Sequence, residues 1–377
     1  MIYTLMLFDT PLLKFSVEGG AEVDINILEI YEKNKMLLPL DLPEISAKGI
    51  ESWIRHRSIP KNRTYVDNLL ASMGLSINRP FDLIRISKGL GLNDSYWLKQ
   101  EGSKDLFAGV NLYDNRFSRI LGQIAFTGYG SGIATGFSSS PEFTTNGMLP
   151  KCWRRINGKI VLYKGGTSGA SNAGYEPYSE FYAYQIAKII GINAVPYGLS
   201  KWKEKLCSTC VLFTDKDTAF VPIGRVVRTG GIQAVRKYYK SLGPEFEKAL
   251  DDMIIFDALI FNTDRHYGNF GLLVDSHTNK IVAPAPLFDH GNSLLNFAGA
   301  ESWSDKESIS KYAKAQLPQV YDDYVEEAKK VLTHEWRNAI RKLIDFKLPK
   351  HSRYNLSPNR IKMLEYIVSQ RAAELLK

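Results

Sequence analysis

Apolar and polar positions change rhythm along the 377-residue chain, and the changes outline its elements. The opening run "MIYTLMLFDTPLLKFSV" is apolar and β-prone, which predicts a first β-strand. It has no basic leading segment or small-residue cleavage site and carries Asp9, so it does not read as a signal peptide. Helical spacing follows in "KGIESWIRHRSI" and "TYVDNLLASMG", the second closed at Gly74. "GKIVLYK" (Gly158 to Lys164) alternates like a strand, and "YSEFYAYQIAKIIG" repeats apolar residues at helical spacing up to a stop at Gly191. "VLFTDKDTAFVPIGRVV" reads as a hairpin of two strands around a polar turn. From Pro244 the pattern is helical: "PEFEKALDDMIIFDALIFN" opens on proline with acids in its first turns. "YVEEAKKVLTHEWRNAIRKLI" and "PNRIKMLEYIVSQRAAELLK" continue as amphipathic helix. A strand-rich portion therefore precedes a helix-rich one, with the boundary near residues 225–240.

Two glycine-rich stretches interrupt this order. "FTGYGSGIATGFSSSPEFTTNGMLPK" (Phe126 to Lys151) is loop rather than core, and Gly165 to Gly174 is a polar connector. With 44% hydrophobic and 23% charged residues, the chain is an ordinary globular protein long enough for two or more structural units. A formal charge of +8 permits acidic partners, but no basic tract interleaved with aromatics appears, so nucleic acid is not expected as a direct partner. The basic cluster in "WIRHRSIPKNR" (Arg55, Arg57, Lys61, Arg63) reads as a solvated helix edge. Three cysteines (Cys152, Cys207, Cys210) are too few for a disulfide framework and suit a reducing cytosol. The single CxxC pair, Cys207 and Cys210, lacks a second pair at zinc spacing and reads as structural thiols. No apolar run reaches membrane-spanning length, so a soluble cytoplasmic protein is expected.

The candidate chemistry lies in "FNTDRHYGNFGLLVD" (Phe261 to Asp275) and "PLFDHGNSLL" (Pro286 to Leu295). Phosphoryl transfer is mostly positioning and charge neutralisation, so it needs few groups but particular ones. Magnesium takes hard oxygen ligands, which Asp289 and the Asn269 amide supply, while Asp264 can accept a hydrogen bond from an incoming hydroxyl. Asp264 to Asn269 has the D-x-x-x-x-N spacing of a kinase catalytic loop. "FDHG" stands where a kinase has Asp-Phe-Gly, after the strand pair "GLLVD" and "KIVAPAP". Upstream, Lys164 ends a strand and Glu180 lies near the start of the next helix, the pair a kinase uses on its phosphates, with Glu176 a nearby competitor. "TTNGMLPK" (Thr144 to Lys151) can close backbone N–H groups on phosphates, Gly147 allowing close approach. Plainer readings exist: Asp264 caps a helix end, Lys164 reaches for water, and Glu180 favours a helix dipole. Neither glycine loop shows GxGxxG or GxxxxGK[ST], which disfavours the eukaryotic kinase loop and the Walker ATPase.

At these residues the chain resembles the HipA-like serine/threonine kinases of bacteria, the CtkA type included. The similarity covers about residues 105 to 320, through "TTNGMLPK", "IVLYK", "SEFYAYQIAKIIGINAVP", "IFNTDRHYGNFGLL" and "APLFDHGNSL". The resemblance implies an α+β, bilobal, protein-kinase-like fold, with a strand-rich N-lobe over 105–230 and a helical C-lobe over 231–377; residues 1–104 carry none of these motifs and are expected to form an accessory region that binds a substrate or a regulator. It implies ATP and Mg2+ as cofactors and a Ser/Thr hydroxyl on a protein substrate as acceptor. Asp264 would be the catalytic aspartate, Asn269 and Asp289 the metal ligands, and Lys164, braced by Glu180, the phosphate-binding lysine. Thr144, Thr145, Gly147 and Lys151 would form the phosphate loop, and backbone from Phe220 to Ile223, beside Arg225, would meet adenine. Members of the family silence themselves by phosphorylating a hydroxyl of that loop; here Thr144 and Thr145 stand in tandem where the family has serine. "DRH" is also similar to the phosphatidylinositol kinases, which would give His266 a direct part in phosphate chemistry; the plainer reading has His266 and His290 bonding loop backbone. An antitoxin-like or regulatory protein is a candidate partner, and a secreted effector is the alternative to a cytoplasmic enzyme. A lipid or small-molecule kinase, and a pseudokinase or toxin–antitoxin binding module, are the competing functions; retention of every catalytic group speaks against the last.

Overall fold

Leu7 and Thr10 face each other across a turn at Phe8 and Asp9, so the opening apolar run is a hairpin and not the single strand expected. Phe8 makes the turn with φ of +50°, a conformation that an aromatic residue rarely adopts and does not announce. The computed structural model describes residues 1–19, 23–42, 44–76, 80–130 and 140–377; residues 131–139 of the Gly/Ser-rich run read as loop lie outside them. Two compact units divide the chain: Met1–Lys164 with Val211–Val221 and Leu272–Val282, and Gly165–Cys210 with Pro222–Gly271 and Ala283–Lys377. Elements are numbered in chain order across both.

In the first unit, β1 (Ile2–Leu7), β2 (Thr10–Gly19), β3 (Val23–Ile30) and β4 (Tyr96–Gln100) make a four-stranded sheet of order β3-β2-β1-β4. Helix α1 (Ala47–Arg55) is capped by Ser46, whose Oγ accepts from Gly49 N at 3.0 Å. Its Ile50, Trp53 and Ile54 bury against Leu5, Leu13 and Phe15 of the sheet. A second core joins α2 (Val66–Ala71), α3 (Pro80–Ser87) and α5 (Arg119–Thr127), which follows the short α4 (Phe107–Val110), and takes in Phe143. β5 (Lys151–Ile156) and β6 (Lys159–Gly165) form an antiparallel pair, and β9 (Thr218–Pro222), β10 (Gly271–Asp275) and β11 (Lys280–Pro284) form a sheet of order β11-β10-β9.

The basic cluster is only in part a solvated edge. Arg55 faces water and pairs with Glu51 at 2.6 Å, but Arg57 and Arg63 are 6% and 2% exposed. Arg57 grips both carboxylate oxygens of Asp94 at 2.7 Å. Arg63 donates to main-chain carbonyls instead. Carbonyl acceptors are common to every residue type and leave no mark in a sequence.

The second unit opens with α6 (Glu176–Ile190), which has Pro177 in its first turn and ends on Gly191 at φ +83°. β7 (Tyr197–Trp202) and β8 (Lys205–Val211) pair antiparallel. This overturns the expected hairpin of β8 with β9: β8 follows its nearer neighbour, β9 pairs with β10, and Ile223–Val226 turns as a short helix, α7. Cys207 and Cys210 lie buried on β8, three residues apart and so on opposite faces, and no disulfide joins them. α8 (Gly231–Leu242) leads to α9 (Pro244–Ile260), buried throughout from Met253 to Ile260. α10 (Lys306–Lys314), α11 (Tyr324–Lys330) and α12 (His334–Arg341) precede α13 (Pro358–Leu376), which lies against all three and α9. No helix among the described residues is long and apolar enough to cross a membrane.

Candidate active site

The second unit builds its polar centre at the end of α9. The last carbonyls of a helix lack intrahelical partners. Here Ala258 O accepts from Arg371 Nη1 of α13 at 3.0 Å, and Ile260 O accepts from Leu294 N at 2.7 Å. Phe261, at φ +54° under the Arg371 guanidinium, turns the chain into "NTDRHYGN". Asp257, an acid in the apolar last turn, is fully buried. Its Oδ1 accepts from Asn262 Nδ2 at 2.9 Å and from Arg265 Nη2 at 3.0 Å, and its Oδ2 accepts from Arg265 Nε at 2.8 Å. Arg265 Nη1 then donates to the carbonyls of Asn269 and Phe288, both at 2.8 Å, and Nη2 lies 3.1 Å from His290 Nδ1. Since guanidinium only donates, His290 Nδ1 is assigned as the acceptor, with its proton on Nε2. One side chain thus fastens the segment 264–269 to the segment 288–290. Burial alone would lower the Arg265 pKa, but the charge and hydrogen bonds of Asp257 outweigh it and raise it, with Asp289 adding to the effect.

Asp264 is half-buried, and its Oδ2 accepts from Asn292 Nδ2 at 2.9 Å. Asn292 is held in turn because its carbonyl accepts from Thr263 N at 3.0 Å and Thr263 Oγ1 at 3.1 Å. Asn269 Nδ2 donates to the Asp264 carbonyl at 3.2 Å, which leaves its Oδ1 as the end able to face a cation. Asp289 sits at φ +58°, a region aspartate tolerates better than most side chains, and its N donates to Tyr197 Oη at 3.1 Å. Burial first, and then the charge of Glu180, push the Tyr197 phenol well above its ordinary range, so it stays neutral. Glu180, fully buried on α6, accepts from His290 N at 2.8 Å. Glu176 is committed elsewhere: its carboxylate accepts from Thr167 N at 3.2 Å and ties the connector 165–174 to the start of α6. His266 is exposed, and its Nδ1 accepts from Gly268 N at 3.0 Å; a Cβ at Gly268 would come within 2.8 Å of that ring.

The first unit holds the other candidates. Lys164 on β6 is directly opposite Lys151 on β5, and each is 6% exposed. Lys151 Nζ donates to Asn146 O at 2.9 Å. Gly147 has φ of +92°, and a Cβ there would meet the same ammonium at 2.2 Å. Thr144 Oγ1 donates to Leu90 O at 2.7 Å; Thr145 Oγ1 donates to Pro141 O at 2.6 Å and accepts from Trp153 Nε1 at 3.0 Å. At the stretch expected to meet adenine, Phe220 N donates to Asn93 O at 2.7 Å in the first unit, and Ile223 N donates to Phe270 O at 3.0 Å in the second. Those two amides are spent inside the protein.

Sequence reasoning missed Asp257, Arg265, Asn292 and Tyr197. A lone acid within "IIFDALIF" was the one available signal, since a carboxylate in an apolar helical run requires a partner. A magnesium–nucleotide complex fits the donor set, because magnesium uses one or two protein carboxylates and keeps phosphate and water oxygens. Among the described residues no group of three or more His, Cys, Asp or Glu is placed to hold an ion unaided.

These elements define a mixed α+β, kinase-like fold. No protein-family model matches the sequence, and no curated protein does. Among solved structures, the chain is similar to HipA of Shewanella oneidensis MR-1, from the toxin–antitoxin complex of HipA, HipB and operator DNA. The TM-score is 0.56 at 15% identity, over 99% of this chain and 96% of that one. It is also similar to the proinflammatory kinase CtkA of Helicobacter pylori, with a TM-score of 0.48 at 18% identity, over 60% of this chain and 88% of that one. The likeness to HipA shows the fold alone.

Proposed function

We propose that this protein is an ATP- and Mg2+-dependent serine/threonine kinase of the HipA type, acting on a protein hydroxyl. The observation that carries the reading is the Arg265 guanidinium, which binds the Asn269 and Phe288 carbonyls at 2.8 Å each and so holds the D-x-x-x-x-N loop against the Asp289 turn. Asp264, oriented by Asn292, accepts the proton of the acceptor hydroxyl and aligns its oxygen. Asn269 Oδ1 and the Asp289 carboxylate hold magnesium, which neutralises phosphate charge when bound with ATP. Lys164 and Lys151 bind phosphate oxygens, the loop Thr144–Lys151 closes over them, and Glu180 braces the Asp289 turn through His290 N. The 1–104 region serves as an accessory to the catalytic lobes, and a small antitoxin-like protein is the proposed partner.

Incubation with labelled ATP and magnesium, followed by phosphosite mapping, tests the reading. Asp264→Ala should keep nucleotide binding and lose transfer by on the order of 10²–10⁴-fold. Asp289→Ala should lose metal-dependent nucleotide binding. Transfer at the wild-type rate by both variants would refute the assignment, and label in inositol lipid vesicles but not in protein would favour a lipid kinase.

A further inference from the structure

Arg63 belongs to the turn between α1 and α2, far in sequence from every residue given a role above. It is 2% exposed. Its Nη2 donates to Lys151 O at 2.6 Å; its Nη1 donates to Thr145 O at 3.0 Å and, at a longer 3.4 Å, to Glu142 O. Its Nε is buried with no hydrogen-bond partner. The next residue continues the contact, with Thr64 N donating to Met148 O at 2.8 Å. The loop 144–151 is therefore tied near its start, in its middle and at its end to residues 63 and 64. Thr144 Oγ1 adds a tie to Leu90 O at 2.7 Å. Within the loop Lys151 Nζ also donates to Asn146 O at 2.9 Å, while Gly147 is in the left-handed region and Met148 is 56% exposed. Burying a guanidinium is costly, and here that cost is met largely by loop carbonyls, which a planar fork of donors can reach together. Burial lowers the Arg63 pKa to about 10, which still leaves it charged at neutral pH.

We propose that Arg63 is a positioning residue, a latch by which the accessory region holds the loop 144–151 in the shape that receives ATP phosphates. The proposal rests on the reading of that loop as the phosphate loop. The latch sets nucleotide affinity and leaves turnover of bound ATP largely unchanged.

The experiment compares wild type, Arg63→Met and Arg63→Lys as full chains. Hydrogen exchange at residues 144–151 is followed without nucleotide, and KM for ATP and kcat are measured separately. Arg63→Met should speed loop exchange and raise KM for ATP by about tenfold, with kcat changed by less than about threefold. Arg63→Lys, which keeps the charge but not the fork, should fall between the two, and it carries the test if the methionine variant does not fold. Loop exchange at wild-type rate in a folded variant would overturn the latch, even if ATP binds normally. Faster loop exchange together with a wild type that binds no ATP would overturn the phosphate-loop reading instead, and with it the proposed role in affinity. A fall in kcat at unchanged KM would overturn the role in affinity.

Discussion

Glu142 is fully buried beside the candidate phosphate loop, where its carboxylate accepts from Trp153 N at 3.2 Å and from Ser140 Oγ. Burial raises its pKa more than Ser140, the backbone amides and the Arg63 charge lower it, so the net shift is upward from an ordinary 4.5. Within the window above 4.5 the folded chain holds a proton that the unfolded chain has lost. The stabilisation is therefore complete below that window and is lost as pH rises through the folded value. Glu142→Gln mimics the protonated form at every pH. Its melting temperature relative to wild type should climb as pH rises above 4.5 and level off once pH passes the folded value. A flat difference across that range would show that the shift is absent. The same scale shows where the sequence was mute. Asp264, Asn269 and Asp289 declare themselves by type and spacing, whereas Arg57 and Arg63 look like any basic cluster. Their burial depends on Asp94 and on the carbonyls of residues 142, 145 and 151, distant in the chain and, for the carbonyls, independent of residue type.

Between elements, the decisive joint is the one Arg265 makes from the end of α9 to two loops. Replacing it with methionine would leave Asp257 buried and uncompensated, at a cost of about 3–5 kcal/mol. Denaturant unfolding of Arg265→Met should show that loss. Pairing it with Asp257→Asn should recover part of it, because the two groups share one network. Additive losses would mean that the ion pair at 2.8 Å contributes no coupling. α6, α9, β6 and the β10–β11 pair were legible because each carries a strong local period and a clear stop. β8 and β9 satisfied the hairpin pattern just as well. The deciding fact lay elsewhere: β7 stands immediately before β8, and β10 arrives only after α8 and α9. A partner strand that far away has no local signature.

Each compact unit is assembled from three separate stretches of chain. The first takes β9 from residues 211–221 and the greater part of β10 and β11 from residues 272–282. A chain ended at residue 230 would keep β9 and lose both strands of its sheet, and a lone strand is not stable in water. In such a fragment, amide exchange in residues 218–221 should lack the protection it has in the full chain, except at Phe220, whose N–H donates to Asn93 O. Full protection there would mean that β9 is held without β10.

The same threading has a consequence on the ribosome. At about 5–20 residues per second, β10 leaves the exit tunnel seconds after β9, once α8, α9 and the loop bearing Asp264 have been made. For that interval the nascent chain presents β9 as a bare edge, open to pairing with any other strand nearby. Its yield in a cell should therefore depend on elongation speed between residues 222 and 271 and on the chaperones that cover that edge.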